Sequence, residues 1–142
     1  MKKILSTLLI VTSTFVSQAQ LSNMSFQVDS AYLFEYDENE SFRSAWDNQL
    51  VKNLETVRIY EESMRSWNID LNSRVIKFGN YPPCQVVSSN DNELVYINCD
   101  GQICKLVLKE TLDGKPIVFF LEPPKDGKVK GGFLYPQEIV HN

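Results

Sequence analysis

The sequence predicts a mostly β fold: a small antiparallel meander of about seven or eight strands that closes into a barrel, with one short helix. Three observations support this prediction. Asp-Gly pairs recur at even spacing, the segments between them have strand composition, and one upstream stretch has helical periodicity. The alternative is an open antiparallel sheet with the helix packed on it, because either arrangement covers the apolar face of a meander.

The Asp-Gly pairs begin at Asp100, Asp113 and Asp126. A two-residue hairpin turn requires positive φ at both of its central positions, which glycine adopts freely and aspartate tolerates. The segments 102–112 and 115–125, which lie between the turns, have the length and composition of strands. We therefore expect consecutive hairpins with an Asp-Gly pair at each tip.

The first two turns predict a register. If each hairpin closes symmetrically about its Asp-Gly pair, Ile97 lies opposite Cys104 and Leu108 lies opposite Phe119. Alternate residues of a strand point to the same face, so this register predicts a single apolar core face. Its members are Val95, Ile97, Cys99, Cys104, Leu106, Leu108, Phe119 and Leu121. The opposite face carries lysines and some apolar residues, so we expect it to be partly covered as well.

Alternating apolar residues and turn-forming residues place the remaining strands. Proline lacks an amide proton and fixes φ, so the stretch from Gly79 to Pro83 is predicted to be a loop. A last short strand is expected at 133–135, after a flexible or bulged pair of glycines. The other predicted strands cover residues 32–36, 56–61, 67–71 and 74–78.

One segment, from Ser41 to Leu54, has the pattern of a helix. Its apolar residues at helical spacing are Phe42, Ala45, Trp46, Leu50 and Leu54. Ser41 is placed to cap the first turn. We expect a helix of about three turns that covers one end or one face of the sheet.

Residues 1–19 have the order of a secretory signal peptide. Lys2 and Lys3 precede an apolar run over 4–16, and small residues end at Ala19. The run is shorter than the roughly 20 residues that span a bilayer. We therefore expect cleavage near Ala19 and export of one mostly β domain, residues 20–142, to the periplasm or the extracellular space. No later segment of the sequence is apolar for long enough to cross a membrane.

The charge of the chain excludes one class of partner. The chain has 18 Asp and Glu against 14 Lys and Arg, and the predicted leader removes two lysines but no acid. Binding to DNA or RNA needs a basic surface, so we expect no nucleic-acid partner. Acidic residues are concentrated between Asp29 and Glu62, so this half of the chain could present an acidic surface.

The chain contains three cysteines, and an exported protein meets an oxidising compartment, so a disulfide is expected. Cys99 and Cys104 flank the first Asp-Gly turn and are the first candidate pair. A bridge from Cys84 to either of them is the alternative. The unpaired cysteine is then expected to be a buried apolar residue.

No metal, cofactor or catalytic motif is predicted. The three cysteines and His141 would count to a zinc set, but Cys84 lacks a close cysteine partner. A calcium loop that starts at Asp37 fails, because Phe42 and Asn48 stand where glycine and glutamate are needed.

Candidate catalytic residues are few, since the one histidine, His141, stands next to last in the chain. A serine or cysteine nucleophile usually needs a histidine base. Asp70 and Glu110 are the acids considered for an altered pKa, Glu110 because the predicted register points it inward. These observations favour a protein that is not an enzyme.

Two functions follow as hypotheses. The first is a small exported binding module, with a small apolar molecule as the ligand in the barrel interior. The second is a protein-interaction or inhibitor-type module that acts through its loops or its acidic half.

Overall fold

The computed structural model describes residues 21–48 and 54–142. The predicted signal peptide at 1–19 and residues 49–53 of the predicted helix lie outside this part of the chain. The described residues form one antiparallel sheet of eleven strands, in the order β11-β1-β4-β5-β6-β7-β8-β9-β10-β2-β3. The strands are β1 Met24–Gln27, β2 Ser30–Asp37, β3 Glu55–Arg58, β4 Ser66–Asp70, β5 Val75–Phe78, β6 Cys84–Ser89, β7 Glu93–Ile97, β8 Ile103–Glu110, β9 Pro116–Leu121, β10 Lys128–Leu134 and β11 Gln137–His141.

The described α-helix, α1, covers Phe42–Asn48, and a short 3-10 helix covers Glu62–Met64. Ser41 caps α1 as predicted: the Ser44 amide donates to the Ser41 hydroxyl at 3.1 Å. The Phe42 ring packs edge-on against Phe119 at 5.3 Å. The helix therefore covers one face of the sheet, while Leu50 and the side chain of Trp46 lie outside the described part.

The sheet is open, so the predicted barrel is not found and the open-sheet alternative fits. Strands β3 and β11 end the strand order of the described residues and do not pair with each other. The physical reason is that an extra strand lies outside each end of the meander. Strand β11 pairs on the outside of β1, and β3 pairs on the outside of β2.

The sheet is nevertheless strongly coiled. Strands β1 and β2 follow each other in the chain, yet β1 pairs with β4 near one end of the sheet and β2 pairs with β10 near the other. Gln27 and Ser30 are three residues apart, which extended chain spans in roughly 10 Å. The two ends of the sheet must therefore approach each other, and the sheet has an inner and an outer face.

The first Asp-Gly turn differs from its prediction. Gly101 has φ 80°, but Asp100 does not have positive φ. The Asn98 amide donates to Gln102 O at 2.9 Å and the Gly101 amide donates to Asn98 O at 3.0 Å. Three residues, 99–101, thus form the loop, as in a type I turn followed by a left-handed glycine.

A loop with an odd number of residues moves the register by one position. Tyr96, not Ile97, lies opposite Cys104. Leu94 and Tyr96 are consequently buried on the inner face, whereas Val95 and Ile97 are only half-buried and Cys99 is exposed. The predicted core positions in β7 are therefore wrong, because a one-residue shift exchanges the two faces of a strand.

The second Asp-Gly turn causes the same error. The Thr111 amide donates to Lys115 O at 2.8 Å, so residues 112–114 form another three-residue loop. Leu108 lies opposite Val118 instead of Phe119. Phe119 therefore packs under α1 on the outer face. Predictions for β8 itself hold: Cys104, Leu106 and Leu108 are buried together on the inner face.

The third turn is the two-residue turn that its sequence predicts. Asp126 and Gly127 both have positive φ, 55° and 77°. Lys125 and Lys128 exchange both of their backbone hydrogen bonds, at 2.8 and 3.1 Å. This pattern is that of a type I′ turn.

The C-terminal tail holds more structure than the short strand predicted at 133–135. Strand β10 continues through Gly131 and Gly132, and β11 follows after Pro136. Two further strands, β1 and β6, were not predicted. Strands β1 and β11 pair with each other from opposite ends of the chain. No local sequence pattern predicts such a long-range contact.

Two apolar clusters lie on the two faces of the sheet. The inner cluster is centred on Phe26, Ile76, Leu94 and Leu106, each with 1 % or less of its surface exposed. The outer cluster is made by side chains packed beneath α1, namely Phe34, Ala45, Ile117, Phe119 and Phe133. The inner face is therefore filled by its own side chains along most of its length.

The observed register predicts different costs for two neighbouring truncations in β7. Leu94→Ala should reduce the free energy of unfolding by about 2–5 kcal/mol, because it removes a fully buried side chain. Ile97→Ala removes a similar side chain from a half-buried position and should cost about half as much or less. Urea unfolding of the two variants measures this difference. A larger loss in Ile97→Ala would instead support the symmetric turn.

Candidate functional site

A groove of about 470 Å³ lies at the charged end of the inner face, next to the apolar core. We call it the acidic groove. Its side chains come from β2, β3, β9 and β10. They are Leu33, Phe34, Glu35, Glu55, Phe120, Glu122 and Lys130.

The inner face changes from apolar to charged in the same direction along neighbouring strands. In β9 and the residue after it, the inward side chains are Val118, Phe120 and Glu122. Glu122 lies opposite Lys130, since the Glu122 amide donates to Lys130 O at 2.9 Å. Lys130 in turn lies opposite Glu35 in β2. Three charged residues therefore stand side by side across three strands.

Two glycines of β10 lie beside Phe120 at the groove. Gly131 lines it, and Gly132 lies directly opposite Phe120. A Cβ on Gly132 would come within 2.5 Å of the Phe120 ring, and a Cβ on Gly131 would come within 2.5 Å of Phe120 O. The missing side chain of Gly132 thus leaves room for the Phe120 ring, whose centroid lies 6.1 Å from that of Trp67.

The charges of the acidic groove do not cancel. Lys130 has a carboxylate on each side, Glu35 and Glu122. Glu55 lies opposite Leu33, so no lysine opposes it in the strand ladder. Opposite charges on facing positions of a sheet attract weakly. The groove therefore carries three carboxylates against one ammonium group, above an apolar floor.

A second groove, of about 440 Å³, continues from the first and shares Glu35, Glu122 and Lys130 with it. Its other charged residues include Asp100 and the lysines of the third turn. Four acids stand against three lysines here, so the excess of negative charge is smaller than in the acidic groove.

Beside Glu122, the inner face carries a buried polar group, Tyr96 and Cys104. Burial raises the pKa of the Tyr96 phenol well above its usual value, and Cys104 and Glu122 add to the effect. Burial also raises the pKa of the Cys104 thiol, with Glu122 as the next cause. Both groups therefore stay neutral at physiological pH.

Asn98 organises this end of the sheet. Its side-chain oxygen accepts the amides of Asp100 and Gln102, at 3.0 and 2.9 Å. Its side-chain nitrogen donates to Gln102 at 2.8 Å and to the Cys104 sulfur at 3.5 Å. One asparagine thus holds both the three-residue loop and the neighbouring thiol. Local hydrogen bonds of this kind are typical of asparagine in turns.

The three cysteines are unpaired thiols in the structure. Cys84 and Cys104 are buried and Cys99 is exposed. The first candidate pair, Cys99 with Cys104, is not bridged in the structure, and Tyr96 occupies the position opposite Cys104.

The acids and the histidine considered for catalysis are placed as follows. Asp70 accepts the Ser73 amide at 3.0 Å, and these turn hydrogen bonds lower its pKa. Glu110 and His141 line one small pocket of about 100 Å³. In that pocket, one Glu110 carboxylate oxygen is buried without a hydrogen-bond partner among the described residues.

His141 also lies 2.8 Å from the Ser22 hydroxyl, through its Nδ1 atom. In serine hydrolases the nucleophile meets Nε2, and Nδ1 is reserved for the orienting carboxylate. The Ser22–His141 contact is therefore not the arrangement of an activated nucleophile. It ties the N-terminal segment to β11.

Two further observations concern metals and membranes. In the described part of the chain, no three His, Cys, Asp or Glu side chains are arranged to hold a metal ion. Within residues 21–48 and 54–142, no helix has the length and apolar character that crossing a membrane requires.

Comparison with known proteins gives no match. No protein-family model matches the chain. No curated protein and no solved structure matches it either. Support for a function therefore comes from the side chains described above.

The sequence patterns missed the groove residues as a group. Glu35 and Glu55 belong to the acidic half noted in the sequence, but Glu122 and Lys130 do not. The pair Gly131-Gly132 was the one local signal, since adjacent glycines in a strand mark a close approach of other groups.

The raised pKa of Tyr96 predicts a loss of stability in alkali. A buried phenol that resists ionisation contributes stability below the unfolded value of 10.0 and loses it as the pH rises further. Above this pH, the unfolding free energy should fall by up to about 1.4 kcal/mol per pH unit from this group. Tyr96→Phe should remove that part of the slope, measured by urea unfolding in reductant.

Tyr60→Phe is the matched control, because the Tyr60 side chain is 80 % exposed. Its unfolding free energy should fall with pH in alkali as steeply as that of the original chain. A Tyr96→Phe variant with an unchanged slope above pH 10.0 would show that the phenol ionises as freely in the folded state as in the unfolded chain.

Proposed function

We propose that this protein is a binding module that holds a basic group of a partner protein in the acidic groove. The observation that carries the proposal is the unequal charge of the groove, with three glutamates against one lysine above an apolar floor. The proposal includes an extracytoplasmic location, which depends on the leader predicted at residues 1–19.

The chemistry of the groove suits a lysine or arginine side chain. Such side chains have an apolar stem and a charged end. Phe120 and Leu33 are half-buried and offer a surface for the stem, and the face of an aromatic ring also attracts a cation. Glu55, which no lysine opposes in the ladder, is the expected position for the charged end.

The exposure of the glutamates determines how strongly the groove is expected to bind a basic group. Glu35, Glu55 and Glu122 are all exposed to solvent. Exposed charge pairs contribute only about 0.2–1 kcal/mol each, so binding depends on several of them acting together. Charges of this kind increase the association rate and the selectivity for a basic partner more than the affinity.

The apolar-ligand hypothesis has less support. It requires space between the inner-face side chains, whereas Leu94, Leu106 and Val118 are almost fully buried against their neighbours. The larger grooves of the described residues carry charged side chains. A fluorescent apolar probe that binds stoichiometrically would restore this hypothesis.

The proposal predicts salt-sensitive binding of a basic probe. An oligoarginine peptide should shift the amide resonances of Gly131 and Gly132, and its affinity should fall as ionic strength rises. Glu55→Gln should weaken binding by about 2- to 5-fold, the effect of one exposed charge. The triple change of Glu35, Glu55 and Glu122 to glutamine should abolish the salt dependence.

Glu61→Gln is the matched control, since it removes the same charge from a position that does not line the groove. It should leave the affinity within error of the original chain. Equal losses in Glu61→Gln and Glu55→Gln would attribute the binding to overall charge and would overturn the proposal.

A further inference from the structure

The three cysteines lie near the same end of the sheet, on three successive elements. Cys84 is the first residue of β6, Cys99 lies in the three-residue loop between β7 and β8, and Cys104 is the second residue of β8. A disulfide requires Cα atoms within about 7 Å of each other. The strand ladder decides which pair meets this limit.

The register excludes a bridge between Cys99 and Cys104. Cys104 pairs with Tyr96, and Cys99 lies three residues further along the chain. Asn98, the residue before Cys99, still pairs with Gln102. Two strand steps of about 3.3 Å and one strand spacing of about 4.8 Å already place its Cα roughly 8 Å from that of Cys104. The separation exceeds the limit for a disulfide, so this pair would need the hairpin to slide or unfold.

The strand order excludes a bridge between Cys84 and Cys104. Strand β7 lies between β6 and β8. Two strand spacings of about 4.8 Å place their backbones more than 9 Å apart. Cys104 also has a polar contact of its own, since the side-chain nitrogen of Asn98 donates to its sulfur at 3.5 Å.

Cys84 and Cys99 are the pair that the fold brings together. Gln85 pairs with Ile97, so one step along the ladder places Cys84 beside Asn98, the residue before Cys99. Burial raises the pKa of the Cys84 thiol, and the nearby Cys99 thiol adds to the effect.

We propose that Cys84 and Cys99 form a reversible disulfide when the protein meets a low-molecular-weight disulfide such as oxidised glutathione. The site is a thiol-oxidation site, and Cys104 is not part of it. The pairing is independent of the basic partner proposed for the acidic groove. It would join the end of the proline loop before β6 to the loop between β7 and β8.

The exchange proceeds in two balanced steps. The exposed Cys99 thiolate attacks one sulfur of glutathione disulfide and releases one glutathione thiolate. The Cys84 thiolate then attacks the Cys99 sulfur of the mixed disulfide and releases the second glutathione. One disulfide is reduced and one is formed, and the two cysteine protons end on the two released glutathione thiols.

The order of the steps follows from exposure. Cys99 is exposed to solvent and Cys84 is buried, so a bulky oxidant reaches Cys99 first. Cys84, which the oxidant cannot reach directly, acts from inside as the resolving thiol, and its raised pKa makes this second step the slower one. Without it, the reaction should stop at the mixed disulfide on Cys99.

The test is a peptide map of the unmutated, folded chain. The reduced protein is exposed to glutathione disulfide, free thiols are blocked with iodoacetamide, and the chain is cut before aspartate residues. This cleavage places each cysteine in its own peptide, respectively 70–90, 91–99 and 100–112. The expected product links peptides 70–90 and 91–99 and leaves Cys104 alkylated.

Two other results would overturn the proposal. One is a link from peptide 100–112 to either of the others, and the second is complete alkylation of all three cysteines after exposure to the oxidant. Because the map uses the unmutated chain, it does not depend on whether a variant folds.

The masses of single serine variants, measured on the intact protein, give an independent test. Cys104→Ser should still lose two hydrogen atoms on oxidation, as the unmutated chain does when its third thiol stays free. Cys84→Ser should instead gain one glutathione, and Cys99→Ser should show neither change. Loss of two hydrogen atoms in Cys99→Ser would contradict the pairing.

Oxidation should also change stability. The new bridge would close a loop of about 15 residues, for which the chain-entropy account expects a roughly 100-fold higher folding equilibrium constant. Urea unfolding with and without reductant measures this change. The Cys104→Ser variant should show the same redox effect, and Cys84→Ser should show none.

Discussion

The register of the central hairpins is the constraint on which the rest of the structure depends. Each of the first two Asp-Gly turns closes a loop of three residues, so the strands on either side are offset by one position from a symmetric pairing. Asn98 holds the first loop through its side chain, and Thr111 holds the second by accepting the Lys115 amide at 3.0 Å. These local hydrogen bonds decide which side chains enter the core, because a strand has only two faces.

The coiling of the sheet is the second constraint, and it acts over a long range. The chain segments at the two ends of the protein pair with each other twice, as β1 with β11 and as β2 with β10. Each pair then joins a different end of the meander. Apolar inner side chains from both ends of the sheet are thereby enclosed in one cluster, and the charged ends of β2, β9 and β10 come to lie next to one another.

Sequence patterns correctly predicted the features that depend on residues close together in the chain. The helix cap at Ser41, the inward residues of β8 and the third turn all follow from local chemistry. The faces of β7 and β9 were inverted because Asp-Gly suits both two-residue and three-residue loops, and the flanking Asn98 and Thr111 decide between them. Strands β1 and β11 escaped prediction because each is stabilised by a partner from the other end of the chain.

The register of the second hairpin also explains why the acidic groove could not be predicted from the sequence. With a symmetric second turn, Glu122 would lie opposite Lys105 on the outer face, away from Glu35 and Glu55. The odd loop instead turns it inward, next to Cys104 and above the glycine pair of β10. The cysteine pairing changes for the same reason, since the odd first loop carries Cys99 away from Cys104 and leaves it beside Cys84. The odd number of residues in each of these two short loops thus sets both the charge of the groove and the choice of thiol partners.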